Sequence, residues 1–389
     1  MKSDLDIIIV GGGIQGAGVA QIAALNGFSV LVLEKNQIGS GTTRKSSKLI
    51  HGGFRYLESL QFSLVRECLE ERSLLLKLAP SLVKLQPFYI PIYRQSKRSR
   101  VKIHAGLTLY RWLTGQQAGN QYRCLKRSEW SQLDGLHTED LLAVFQYWDA
   151  QTNDQQLTQA VMQSAMNFGA QRLEQAEVIA IEVESTGVNI QYQVDGNLEQ
   201  KRAKVLVNCA GPWVNAVLAK VRPSLPLVPV SLVAGTHILV DQPNPQGFYY
   251  VESPLDQRAV FVMPWKNKAL IGTTERLYEG NPDQLTPLPA EVQFLQETFA
   301  HYFRQQSPRL IDAFAGARVL PKSNQNPFHR SREAIISLDQ PIQPRVLSLV
   351  GGKLTSYRIN AENLFRQILR TLPVRGEIQT TKAVPLTTF

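Results

Sequence analysis

Three glycines are the residues best placed for chemistry. Gly11, Gly13 and Gly16 stand at G-x-G-x-x-G spacing. Glycine there permits a tight turn and lets the backbone approach a pyrophosphate, while a following helix offers free N–H groups and a positive dipole end. Glu34, the acid after the next apolar run, is suited to accept hydrogen bonds from ribose hydroxyls. Alone, the glycine pattern is weak evidence; its flanks give it weight. Leu5 to Val10 is a β-branched apolar run that reads as a buried strand. Ile14 to Asn26 reads as an alanine-rich helix ended by Gly27, and Phe28 to Leu33 as a second strand. Strand, glycines, helix, strand and acid follow the order of a dinucleotide-binding βαβ unit.

Two further stretches carry polar chemistry. Gly39 to Leu57 is crowded with Gly, Ser, Thr and bases. It suits either a wrap around a phosphate-bearing ligand or a flexible polar loop. Between Ile92 and Gly115, Arg94, Lys97, Arg98, Arg100, Lys102 and Arg111 occur without an acid, interleaved with Val101, Ile103, Leu107, Leu109, Tyr110, Trp112 and Leu113. This is either a basic amphipathic segment for an anionic membrane surface or the solvated face of an ordinary helix.

The elements that must position these groups alternate along the chain. Phe62 to Ala79 reads as an amphipathic helix stopped by Pro80, and Gln155 to Phe168 as a helix begun by Thr152-Asn153-Asp154. Val178 to Val183, Val188 to Val194 and Ala203 to Val207 read as a small antiparallel meander. From Pro223, short strands such as Gly235 to Val240, Ala259 to Met263 and Ala269 to Gly272 predict an antiparallel sheet domain. A helix follows over Pro289 to Phe303, and a strand over Ala313 to Ala317. Arg345 to Val350 is a buried-type strand that runs through Gly351-Gly352 into a helix from Ser356 to Leu372. The fold class expected is α/β plus β: a Rossmann-type domain (1–85, 148–222 and 323–389) interleaved with a β-rich substrate-binding and membrane-facing domain (86–147 and 223–322).

Composition bounds the function. The 389 residues suffice for two domains, and 43% hydrophobic residues for a sizeable core. Cys68, Cys124 and Cys209 are scattered and odd in number, which argues for a reducing compartment and against disulfides or a metal site. No targeting run opens the chain, and no stretch reaches the roughly 20 apolar residues of a membrane span. A cytoplasmic protein is the expectation. The 42 basic and 32 acidic residues give +10, which suits anionic substrate or anionic lipid; no nucleic-acid motif accompanies it.

Several segments together resemble the FAD-dependent glycerol-3-phosphate dehydrogenase family, within the D-amino-acid-oxidase-like flavoproteins. They are Val10–Gly18, Ser46–Glu58 (SSKLIHGGFRYLE), Asn208–Val214 (NCAGPWV), Gly235–Val240 (GTHILV), Phe261–Trp265, Ile271–Glu275 (IGTTE) and Gly351–Arg358 (GGKLTSYR). The glycine loop is shared by many flavoproteins; SSKLIHGGFRYLE and GGKLTSYR are far more specific. The resemblance implies a GR2-type FAD domain with a β-rich substrate domain. It also implies a helical C-terminal domain of roughly a hundred residues, small by domain norms, that this sequence does not carry. In the family the substrate arginine usually sits in G-V-R-P; here Gly316-Ala317-Arg318-Val319-Leu320-Pro321 keeps the arginine and displaces the proline.

The implied reaction is oxidation of sn-glycerol 3-phosphate to dihydroxyacetone phosphate by hydride transfer from C2 to flavin N5, with electrons passing to a quinone. The implied setting is peripheral, at the cytoplasmic face of the inner membrane, with the oligomeric state open and a homodimer among the forms considered. A phosphomonoester carries about two negative charges near neutral pH, its second pKa being ~6, so the site needs cations. Arg55 and Arg318 are expected to grip substrate, and Lys353 to bind substrate or stabilise charge near the flavin. His237 is expected as general base, since neutral imidazole accepts a proton where arginine does not. Tyr56 is expected to line the pocket. The residues expected against FAD are Gly11, Gly13, Ile14, Gly16, Glu34, Lys35, Thr42, Thr43, Ser46, Ser47, Lys48, Leu49, His51, Gly52, Val178, Ala210, Gly211, Trp213, Gly352, Lys353, Leu354 and Thr355. The alternatives are a related FAD-dependent amine or 2-hydroxy-acid oxidase, or a non-catalytic FAD-binding scaffold.

Overall fold

The computed structural model describes residues 5–115, 117–133, 135–241, 247–303, 309–322 and 333–387. Two sheets organise them, one of nine strands and one of ten.

In the first sheet the strand Leu5–Val10 pairs in parallel with Val30–Leu33 on one side and with Asn197–Asn208 on the other. Val30–Leu33 is apolar throughout, and Asn197–Asn208 is buried from Val205 onward where it faces Leu5–Val10, which suits burial on both faces. Asn197–Asn208 is long enough to serve two partners along one edge. Its first half pairs antiparallel with Gly187–Val194, and its last residues pair in parallel with Val346–Gly351. The meander over 177–208 is therefore continuous with the nucleotide sheet rather than a separate unit.

The helix Ile14–Leu25 is buried almost all round, as its small residues allow. It packs against the helices Asp154–Asn167 and Tyr357–Ile368. At Gly18 a Cβ would lie 2.8 Å from the Tyr357 ring, so the close helix contact requires glycine. The helix Asp154–Asn167 starts as expected on Asn153, whose side chain accepts from the Gln156 N–H.

The second sheet is antiparallel except where Phe248–Glu252 runs parallel to Val83–Tyr93. Val230–Val240 pairs with Leu310–Pro321 along nearly its whole length, in a register that sets His237 opposite Phe314 and Val233 opposite Arg318. The two long strands Val83–Tyr93 and Leu141–Thr152 have no counterpart in the sequence reading. Val83–Tyr93 contains Pro87 and Pro91, which argue against a strand within a sheet. Its second edge is paired only at Phe88 and Tyr89, between the two prolines. Leu141–Thr152 pairs with it along eleven positions. The first sheet's strands all fall within 1–85, 148–222 and 333–387, but the boundary near 148 cuts through Leu141–Thr152, and Leu49–Ile50 joins the second sheet.

The basic segment folds as the helix Arg100–Thr114, with Ile103, Leu107 and Tyr110 buried and Val101 and Trp112 exposed. Arg98 does not belong to its outer face. Its guanidinium is buried and donates to Glu58 (2.8 Å) and Glu252 (2.6 Å).

A buried ion pair joins the layers. Arg72, in the helix Phe62–Leu78, donates to Asp149 at 2.7 Å and to the carbonyls of Trp148 and Ala118. The Asp149 carboxylate also accepts from the Gly52 N–H (3.2 Å) and the Tyr110 hydroxyl (3.0 Å). Burial pushes the Asp149 pKa up, with Arg72 the main opposing influence. Removing one partner of such a pair commonly costs about 3–5 kcal/mol, because the other charge is left buried and unpaired.

Candidate active site

A cavity of about 670 Å³ lies between the sheets. On one side it is lined by the C-terminal ends of the parallel strands, at Val10, Leu33, Cys209 and Gly351. Ligands of open α/β sheets bind at such strand ends. The second sheet contributes Tyr147, Asp149, Gly235, Tyr250, Phe261 and Gly316 to Leu320.

The glycine turn fits a dinucleotide such as FAD. Gly11 has φ +104°, and a Cβ on it would lie 2.6 Å from the Cys209 carbonyl oxygen. A Cβ on Gly16 would lie 1.9 Å from the Gly11 carbonyl oxygen. Gly16 thus serves by closing the turn and is not itself on the wall; Gly11, Gly13 and Ile14 are. The N-cap residue Gly13 has no side chain to offer the helix Ile14–Leu25, whose positive dipole end suits an anion. Glu34 lines the cavity with its carboxylate fixed by the N–H groups of Gly12 (2.7 Å) and Asn36 (2.9 Å).

The remaining expected cofactor residues come from five segments. Lys35 and Trp213 meet through Asp283, which accepts from both (2.7 and 3.0 Å), with the ammonium 4.1 Å from the indole centre. Val178, Ala210 and Gly211 line the same region. The polar loop is held rather than free: Thr43 accepts from the Ile14 N–H, Thr42 donates to the Ala317 carbonyl, and His51 N–H donates to Thr355 Oγ1 at 3.1 Å. Thr42, Thr43, Ser46, Ser47, Leu49 and His51 all reach the wall, as do Gly352, Lys353, Leu354 and Thr355.

Two further expected cofactor residues lie behind the wall. The Lys48 ammonium is buried on Asp154, at 2.8 and 2.9 Å, and does not reach the wall. Gly52 also lies off the wall; its N–H is taken by Asp149, and a Cβ there would lie 2.3 Å from the Tyr110 hydroxyl. Its neighbour Gly53 faces the cavity instead.

Arg55, Tyr56, Arg318 and Lys353 share this wall. Arg318 donates to Glu275 at 2.6 Å and to Thr273 at 3.2 Å, and Arg55 lies 3.6 Å from the same Glu275 oxygen. The Lys353 ammonium sits 3.7 Å from the Tyr56 ring centre and 3.3 Å from Cys68 Sγ. A cation over an aromatic face is held by the ring quadrupole.

His237 is displaced from the expected place. Its ring is 1% exposed, stacked on Phe314, and off the wall. Nε2 lies 2.9 Å from the hydroxyl of Ser47, which does face the cavity. Nδ1 has no hydrogen-bond partner among the described residues. The strand register brings His237 against Gly272, where a Cβ would strike the ring. Burial first, then the charges of Arg318 and Lys48, push its pKa down to about 3.

Asp149, Thr273, Glu275 and Asp283 were not singled out as site residues by sequence. A signal existed for two of them: Asp149 is a lone acid in the apolar run Leu141 to Ala150, and Glu275 closes the I-G-T-T-E segment.

Residues 6–358 match the family described as FAD dependent oxidoreductase (DAO). Among curated proteins, the D-erythritol 1-phosphate dehydrogenase of Brucella abortus is 34% identical over 95% of this chain and 75% of its own length. The glycerol-3-phosphate dehydrogenase of Pseudomonas aeruginosa is 34% identical over 97% of this chain and 74% of its own. Among solved structures, the Bacillus halodurans glycerol-3-phosphate dehydrogenase complexed with FAD superposes with a TM-score of 0.76, at 24% identity, over 99% of this chain and 68% of that one. The Mycoplasma pneumoniae L-alpha-glycerophosphate oxidase with FAD bound gives 0.76 at 14% identity, over all of both chains.

The His237 placement makes a pH prediction. The unfolded chain takes up an imidazole proton near pH 6.5 that the folded chain refuses until about 3. Stability contributed by the neutral ring is therefore complete above 6.5 and is lost as pH falls through this window. Urea unfolding between pH 6 and 5 is expected to give a slope steeper for the wild type than for His237→Gln by up to about 1.4 kcal/mol per pH unit. Parallel slopes would contradict a buried neutral imidazole.

Proposed function

Because the chain belongs to the FAD dependent oxidoreductase family and FAD is its cofactor, we propose that it oxidises sn-glycerol 3-phosphate to dihydroxyacetone phosphate. The observation that carries this reading is the convergence of Arg55 and Arg318, distant in sequence, on one wall of the dinucleotide cavity. Bound FAD supplies the hydride acceptor, at N5. The chain's own residues bind and orient the substrate and take up the hydroxyl proton.

Arg55 and Arg318 grip the phosphate, since guanidinium forks match its oxygens and keep their charge at any working pH. Lys353, fixed over Tyr56, adds a compact positive charge on the same wall. Among the described residues, Ser47 is the link between His237 and the cavity. The proton of the substrate's C2 hydroxyl passes to Ser47 Oγ as the serine's own proton passes to His237 Nε2. Phosphate binding at Arg318 offsets one of the two cationic charges that depress the His237 pKa, so substrate itself makes the imidazole a better base. A monocarboxylate, as in amine or 2-hydroxy-acid oxidation, has less use for this many cations.

The second part of the reading is a quinone acceptor at an anionic membrane. It is favoured by Val101 (78% exposed) and Trp112 (75% exposed) on a helix that also exposes Arg100, Lys102 and Arg111. No helix among the described residues is long and apolar enough to cross a membrane; this face would lie on the surface.

Anaerobic addition of glycerol 3-phosphate to the FAD-loaded protein is expected to bleach the flavin band near 450 nm, with glycerol inert. An unbleached band with FAD firmly bound would overturn the reading; faster bleaching by D-erythritol 1-phosphate would move it to a longer polyol phosphate. For the membrane face, sedimentation with vesicles containing phosphatidylserine is expected to drop several-fold when Arg100, Lys102 and Arg111 are changed to Gln, each base near such a surface contributing about 1 kcal/mol. Binding indifferent to lipid charge would rule the face out.

A further inference from the structure

Glu275 lies just behind the wall that carries Arg55 and Arg318. Its side chain is 6% exposed and does not line the cavity. A single oxygen, Oε1, accepts from Arg318 Nη1 at 2.6 Å and stands 3.6 Å from Arg55 Nη2. The second Arg318 nitrogen donates to the Thr273 hydroxyl, two residues earlier in the same segment. Two guanidiniums that share one carboxylate oxygen are close enough to repel each other, and burial of the carboxylate leaves little water to screen that repulsion. Something must hold them together before a ligand arrives.

We propose that Glu275 is a positioning residue that brackets Arg55 and Arg318 into one preformed site for a phosphomonoester. This rests on the phosphate reading above and adds to it which residue builds the grip. A carboxylate beside a phosphate site has two opposed consequences. As a competing anion it weakens phosphate binding, and its neutralisation should tighten it. As a bracket it fixes both forks in advance, so that phosphate does not bear the cost of gathering them. The geometry favours the bracket. The carboxylate touches both arginines from behind, and Thr273 fixes the plane of one fork.

The two roles predict opposite signs for Glu275→Gln, which keeps the shape and removes the charge. The test is titration of inorganic phosphate into the oxidised, FAD-loaded protein, read from the shift it induces in the flavin absorption spectrum. The bracket predicts roughly a tenfold or greater rise in Kd for Glu275→Gln, although the site has gained net positive charge, and partial recovery in Glu275→Asp. Thr273→Val, which changes no charge, is expected to weaken phosphate in the same direction by about threefold. Its result stands in for Glu275→Gln if that variant fails to retain FAD. Equal or tighter phosphate binding in Glu275→Gln overturns the bracket. If the wild type is bleached by glycerol 3-phosphate while that result holds, only the bracket falls. If phosphate perturbs neither protein and glycerol 3-phosphate bleaches neither, the bracket falls with the functional reading beneath it.

Discussion

The carboxylate of Asp149 is the interaction on which the active region depends. It lies on the cavity wall, buried, and its acceptor capacity is taken by Arg72, the Gly52 N–H and Tyr110. These partners come from the long helix after the polar loop, from the loop itself and from the basic helix. One charged group thus ties together the segment that carries Arg55 and Tyr56, the helix that places Cys68 beside Lys353, and a strand of the second sheet. A half-satisfied network of this kind is worse than an apolar core, which gives the arrangement a strong preference for a single geometry.

A second pattern is the separation of charges that hold from charges that act. Lys48 is spent on the buried Asp154 and Arg98 on Glu58 and Glu252, and neither lines the cavity. Arg55, Arg318 and Lys353 are carried on the wall, each backed by a partner, Glu275 or the Tyr56 ring. His237 belongs to neither group. It is a ring kept from the cavity by Ser47, and burial first, then the nearby cations, disfavour its protonation. The site is therefore prepared for an anion before one binds, which is the condition for electrostatic preorganisation.

The dinucleotide half was legible because its constraints are local. Gly11 and Gly16 are required by contacts within a few residues or at the next strand end, and such requirements leave a spacing in the sequence. The helix starting after Asn153 was legible for the same reason. The substrate half was less legible. Val83–Tyr93 pairs along most of its length with a strand about sixty residues away despite two prolines, and no local signal announces that. Lys48 is turned to Asp154 and His237 is buried behind Ser47, placements that a family segment cannot convey, because it names a residue without saying which way its side chain points. Register across the second sheet decides that, and it turns His237 toward Phe314 and Ser47. Glu275 stood inside a recognised segment, and its role emerges only when the fold brings Arg55 and Arg318 to it.

The proposed phosphate grip of Arg55 and Arg318 stands at the end of the cavity where substrate would meet the cofactor. A crystal structure of the FAD-loaded protein with dihydroxyacetone phosphate tests it most directly. Phosphate oxygens are expected within hydrogen-bond distance, about 2.7–3.0 Å, of both guanidiniums. A phosphate bound elsewhere on the wall, touching neither arginine, would contradict it.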